Sequence, residues 1–185
     1  MKTAPLRVLI AEDEAAHATA IRRAFEAGGS KAEIKVVGTL REFRQCGAKR
    51  PPDIAVVDLN LPDGKAMEVM TYPPEDGPFP VLMMTSYGNE QVAVEAMKAG
   101  ALDYVVKSPE AFADLPRTVA GALREWKLLT ERKQAEETLR ASQESLRQIF
   151  EASPNVTSVF QMEGQSLRRT WVSPNLERLF GYTVQ

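Results

Sequence analysis

Residues 6–14, LRVLIAEDE, decide the fold: a short apolar run from Leu6 to Ala11 ends abruptly on three acids, Glu12, Asp13 and Glu14. A strand buried on both faces of a parallel sheet reads as a near-continuous apolar run. Beyond the acids, Ala18, Ile21, Ala24 and Phe25 recur at helical spacing until Gly28-Gly29 stops the pattern. The alternation continues through a strand over 34–37, a helix over 40–48, a strand over 54–57, a Leu61-Pro62-Asp63-Gly64 turn and a short helix over 65–70. A proline-rich loop over 72–80 leads to a strand over 81–84, a helix over 91–99 closed by Gly100, a strand over 103–106 and a helix from about Glu110. Five strands alternating with five helices predict an α/β fold, a doubly wound five-stranded parallel sheet, because right-handed crossovers lay helices on both faces.

The chain has 185 residues, enough for one full core and an appendage. Lys+Arg 23 against Asp+Glu 25 gives a net charge of −2, with no basic stripe, which argues against direct nucleic-acid binding. The first residues lack a signal-peptide apolar stretch, and no run approaches the length that spans a bilayer, so a cytoplasmic location is expected. Cys46 is the single cysteine, which excludes an internal disulfide and a cysteine-built zinc site and leaves an incidental thiol near a helix end. The single histidine, His17, is expected on the surface of the first helix. With no other histidine and no glycine-rich nucleotide loop, histidine-kinase chemistry is not expected in these residues.

In an open α/β sheet, ligands bind beyond the carboxyl ends of the strands. Glu12 and Asp13 close the first strand there, and Asp58 closes the third, directly after Ile54-Ala55-Val56-Val57. Adjacent strands lie about 4.8 Å apart, so these carboxylates converge on one small volume. Bare, they repel one another; a divalent cation relieves that, and an all-oxygen set of this kind suits magnesium. Lys107, after Val105-Val106, brings an ammonium to the same crevice, and Thr85, ending the fourth strand, brings a hydroxyl that both donates and accepts. Positive charge beside carboxylates is what a transferred phosphoryl group requires. A metal-dependent phosphatase on this fold would want a second acid two residues after Asp58, where Asn60 stands. A flavin-type binder would want a Gly/Ser/Thr-rich loop after the first strand, where the acids stand.

VLIAEDE, VVDLNLPDG, MMTSYG and ALDYVVKSP together resemble the receiver domains of two-component response regulators, CheY-like and flavodoxin-like in fold, over residues 5–125. The resemblance implies that Asp58 is the phosphoacceptor, that Glu12, Asp13, Asp58 and the Asn60 carbonyl hold Mg2+ or Mn2+, and that Lys107 binds the phosphoryl group. It also implies that Thr85 follows that group and that the Tyr104 ring couples to it. The implied partner is a sensor histidine kinase or phosphotransfer protein. The implied role is a phosphorelay switch rather than a turnover enzyme, the alternative being the front end of a hybrid histidine kinase or nucleotide cyclase. Two positions depart from the family pattern. Ser108 separates Lys107 from Pro109, where the family commonly has Lys-Pro with a cis bond; without proline that bond costs about 3–4 kcal/mol. Glu12 stands where Asp is usual.

Residues 127–151 hold five basic and five acidic side chains and no Pro or Gly, the composition of a solvated helix. Leu128, Ala135, Ser142 and Ile149 fall seven apart, with Leu139 and Leu146 four after Ala135 and Ser142, an imperfect coiled-coil seam interrupted by Arg132. A helical linker over 126–152 that forms a homodimer is expected, with Glu136 and Arg140 as a supporting pair. Downstream, EASP and WVSPNLERLFGYT resemble the opening of a PAS sensory domain, over 153–185. Strand-like pieces fall at 156–161 and 170–172 and a helical piece at 174–180. That span is too short for the whole module, so its fold is expected to continue past Gln185.

Overall fold

The structure is a computed structural model that describes residues 4–28, 31–86, 88, 90–152, 155–164, 166–173, 176 and 181. The chain divides into two compact units, Met1–Glu131 and Arg132–Gln185.

In the first unit the elements run β1 (Leu6–Ala11), α1 (Ala15–Ala27), β2 (Ala32–Val37), α2 (Leu40–Lys49), β3 (Ile54–Asp58), β4 (Asn60–Leu61), β5 (Gly64–Lys65), β6 (Val81–Thr85), α3 (Glu90–Ala99) and β7 (Asp103–Val106). The start of α4 (Pro109–Ala152) also belongs here. The main sheet has the order β2-β1-β3-β6-β7, and every pairing in it is parallel. Because successive strand residues face opposite sides, the sheet makes two cores. Val8, Ile10, Ile54, Val56, Leu82 and Met84 pack on one face with Ile21 and Phe25 of α1 and Phe112, Leu115 and Val119 of α4. Leu9, Ala55, Val57 and Met83 pack on the other with Leu40 and Phe43 of α2 and Ala96 of α3.

Between β3 and β6 the expected α-helix over 65–70 is instead a single 3-10 turn, Ala66–Val69, followed by a second such turn, Pro74–Asp76. Pro73, Pro74, Pro78 and Pro80 supply no backbone N–H, so no regular helix can propagate through this stretch. The unit therefore has four α-helices among the described residues rather than five. The Leu61–Gly64 turn closes a short hairpin of β4 and β5. Its Asp63 reaches over to α2, accepting from the Leu40 and Arg41 N–H groups at 2.7 and 2.9 Å. Thr39 caps the Glu42 N–H at 3.2 Å, so three of the orphan donors at the start of α2 are satisfied.

Ser108 acquires a structural reason. Its hydroxyl accepts from the Ala111 N–H at 3.1 Å and its carbonyl accepts from the Phe112 N–H at 3.0 Å, so it is the N-cap of α4, with Pro109 at the first helical position where a missing N–H costs nothing. The cis peptide bond among the described residues is Tyr72–Pro73, and Lys107–Ser108 is trans.

In the second unit, β8 (Ser158–Glu163) and β9 (Ser166–Val172) form an antiparallel hairpin. Strand β9 starts four residues earlier than the expected 170–172, because pairing with β8 recruits Ser166 to Arg169, three of whose four residues are polar. Phe150 packs on Trp171 with ring centroids 5.1 Å apart. The helical piece expected over 174–180 lies, apart from residue 176, outside the described residues. Along the helix, Leu139, Leu146 and Ile149 are exposed, and Glu136 pairs with Arg132 at 2.7 Å rather than with Arg140. No helix among the described residues is long and apolar enough to cross a membrane.

Candidate functional site

Register builds the site at the carboxyl edge. Ala11 pairs with Val57, which sets Glu12 level with Asp58, and Thr85 pairs with Val106, which sets Lys107 one step beyond Thr85. The Glu12 N–H still donates to the Val37 carbonyl at 2.9 Å and the Lys107 N–H to the Thr85 carbonyl at 2.8 Å, so both side chains leave from backbone held by the sheet. Asp58 and Thr85 are themselves the last residues of β3 and β6, one residue later than the expected strand ends.

The Lys107 ammonium, its side chain 5% exposed, bridges Glu12 Oε2 at 2.7 Å and Asp58 Oδ2 at 2.6 Å. Glu12's side chain is wholly buried and Asp58's is 11% exposed. Burial alone would lower the Lys107 pKa, but its bonds to the Asp58 and Glu12 carboxylates outweigh that and hold the ammonium above its ordinary value. Two buried carboxylates against one ammonium leave negative charge unbalanced. Glu12 Oε2, closed off from solvent, has the Lys107 ammonium at 2.7 Å as its compensation.

Oxygen atoms of Glu12, Asp13 and Asp58 lie within 4.8 Å of one another. An acidic, oxygen-only trio that mixes buried and exposed members fits a hard divalent cation that keeps some of its water. Thr85 is buried at the end of β6. Tyr104 is half-buried on β7, packed against the core on the α3 side of the sheet, and Asn60 is exposed on β4 opposite Lys65.

His17 corrects the sequence reading. Its side chain is 25% exposed, and it lies in the site rather than on the open surface of α1. Nδ1 lies 3.3 Å from Glu12 Oε1, 3.2 Å from Glu14 Oε2 and 3.4 Å from Lys107 Nζ, and the ring rests against Phe112 with centroids 5.1 Å apart. The signal available in the sequence was spacing: three residues after Glu14, one helical turn, puts His17 on the same face as an acid.

Residues 8–119 match the response regulator receiver domain family. Among curated proteins, the chain is 35% identical over 132 residues to the methanogenesis regulatory protein FilR1 of Methanothrix harundinacea, covering 68% of this chain and 29% of that protein. It is 40% identical over 93 residues to the regulatory protein LuxO of Vibrio cholerae, covering 50% and 20%. Among solved structures, the signal receiver domain of a LuxO repressor protein from Vibrio parahaemolyticus superposes with a TM-score of 0.58 at 27% identity, over 68% of this chain and 95% of that one. The aligned part of the chain thus spans between 20% and 29% of the length of these two curated relatives.

Proposed function

Since this chain belongs to the response regulator receiver domain family, we propose that it is a phosphorylation switch whose acceptor is Asp58, loaded by a sensor histidine kinase or phosphotransfer protein. The observation that carries this reading is the Lys107 ammonium held between Asp58 and Glu12 at 2.6 and 2.7 Å on the carboxyl edge of the sheet. An Asp58 carboxylate oxygen attacks the phosphorus of the partner's phosphohistidine. The new O–P bond forms as the P–N bond breaks, and its electron pair stays on the departing imidazole. Lys107, already bonded to Asp58, exchanges one of its carboxylate contacts for a phosphoryl oxygen, and the Thr85 hydroxyl donates to another. Tyr104 couples that movement to the β7 face. Glu12, Asp13, Asp58 and the Asn60 carbonyl would hold Mg2+, or Mn2+, whose charge offsets that of the phosphoryl oxygens. Hydrolysis by water later returns the free carboxylate and inorganic phosphate, so the protein is a receiver rather than a turnover enzyme.

The receiver extends over 5–125, followed by a linker helix over 126–152 that pairs with a second copy as a parallel coiled coil. The segment 153–185 is the opening of a PAS domain, and the whole acts in the cytoplasm on an output further along the protein. Exposed Leu128, Leu139, Leu146 and Ile149 support the linker reading, and the β8–β9 hairpin supports the PAS reading.

The acceptor is tested by incubating the chain with a small phosphodonor and magnesium and measuring its mass. Wild type gains one phosphoryl group and Asp58→Asn gains none, with urea midpoints showing both folded. Acid-labile phosphate retained by Asp58→Asn refutes the assignment.

A further inference from the structure

We propose that Glu12, Glu14 and His17 form a second cation site, selective for a transition ion of the zinc class, which shares Glu12 with the phosphorylation site and antagonises it. The antagonism rests on the reading of Asp58 as phosphoacceptor; the cation site itself does not.

Two trios of ligand atoms, each within 4.8 Å, meet at Glu12: the oxygen-only set with Asp13 and Asp58, and the mixed set with Glu14 and His17. In the mixed set, Nδ1 stands 3.3 Å from Glu12 Oε1 and 3.2 Å from Glu14 Oε2. Ligands about 2.1 Å from a zinc ion are about 3.4 Å apart in a tetrahedral shell and about 3.0 Å apart in an octahedral one, so the observed spacing already lies between them. The donors are also held. Oε1 of Glu12 is pinned by the Glu14 N–H at 3.2 Å, the Glu12 side chain is wholly buried, and Phe112 backs the imidazole.

Without a cation these contacts conflict. If Nδ1 carries a proton, it presents a donor to the Lys107 ammonium 3.4 Å away. If it does not, its lone pair faces two carboxylate oxygens, and no single tautomer satisfies Glu12, Glu14 and Lys107 together. A bare nitrogen and two carboxylates are the natural ligands of a divalent ion, and the nitrogen decides which ion. Imidazole favours zinc, copper and nickel, whereas magnesium favours oxygen and water. Lys107 opposes any such ion and must shift from Glu12 towards Asp58, which it already touches at 2.6 Å. That shift masks the acceptor and removes Glu12 from the magnesium set, which is the source of the antagonism.

The test titrates the full chain with Co2+ as a spectroscopic stand-in and then displaces it with Zn2+, in wild type and in Glu14→Gln, His17→Gln and Asp58→Asn. The expected result is a visible ligand-field band with nitrogen character that zinc bleaches and equimolar magnesium does not. Binding weakens at least about tenfold in His17→Gln and Glu14→Gln and persists in Asp58→Asn. In phosphoryl uptake from a small donor, the zinc concentration that halves each variant's own uninhibited rate rises by a similar factor in Glu14→Gln, whose side chain is exposed at the mouth of the site. Cobalt binding that survives His17→Gln but is lost in Asp58→Asn places the ion in the oxygen-only trio and overturns the proposal. Phosphorylation of Asp58→Asn with cobalt binding intact would instead refute the acceptor assignment alone.

Discussion

Replacing Lys107 by methionine retains a side chain of similar length and removes the ammonium that stands between two carboxylates. In magnesium-free buffer Glu12, wholly buried, and Asp58, 11% exposed, then face each other with no countercharge. Stripping one partner from a buried ion pair costs about 3–5 kcal/mol; the lower end, about 3 kcal/mol, applies here because Asp58 keeps an edge in water. That is a factor of about 150 in the folding constant, and a fall in Tm of roughly 10 °C for a domain of about 120 residues. The Lys107 pKa is raised, so the wild-type pair's contribution is complete below the ordinary lysine range and is lost only as pH rises through that raised value; the deficit is therefore constant across neutral pH. Magnesium changes the comparison. A divalent ion among Glu12, Asp13 and Asp58 restores the missing positive charge, and the uncharged thioether of the variant does not compete with it as the ammonium does, so millimolar magnesium stabilises the variant more than wild type. Urea unfolding followed by Trp126 fluorescence in a Trp171→Phe background, with EDTA or with magnesium, measures both effects within the first unit. A deficit under about 0.5 kcal/mol in EDTA, the size of an ordinary surface change, refutes the claim that Lys107 neutralises the acids. Equal magnesium gains in both proteins refute the claim that the cation sits among them.

Gly100→Ala should destabilise the first unit by at least about 2 kcal/mol. Its φ is +104°, and an added Cβ would lie 2.1 Å from the Thr71 carbonyl oxygen; a shift in urea midpoint within error would contradict that close approach. Asp63→Ala should lower the urea midpoint at neutral pH, because the N–H groups of Arg41 and Leu40 hold the Asp63 carboxyl below its usual range. A depressed carboxyl stabilises above about pH 4 and ceases to do so as pH falls through the lowered value, so the gap between wild type and variant should close in acid; a gap independent of pH would discount the cap. Leu139→Asp with Leu146→Asp should give monomers by sedimentation that still take up phosphate, and persistent dimers would place self-association elsewhere than the linker seam.

The sheet and the edge where the acids and Lys107 gather were legible because both depend on local pattern. Buried strands must be apolar on both faces, so LRVLIA, IAVV and VLMM announced themselves, and the polar residues that follow each had to emerge at the same end of a parallel sheet. That a long helix follows the last strand was legible from local pattern too. The 3-10 turn at Ala66–Val69 was not, since its residues carry a helical pattern that the prolines after Tyr72 cut off before a second turn could form. Ser108, which read as a departure from the family, is a helix cap once α4 is seen to begin at Pro109. Which side chains touch was decided by tertiary structure alone. Lys107 and His17 are 90 positions apart, and only the register of β7 with β6, together with the packing of α1 against Phe112, brings the ammonium to 3.4 Å from the imidazole. Periodicity assigns a residue to a face; it carries no information about which distant charge shares that face. Asp63 and α2, or Glu12 and Lys107, therefore became partners only when the sheet set the distance between them.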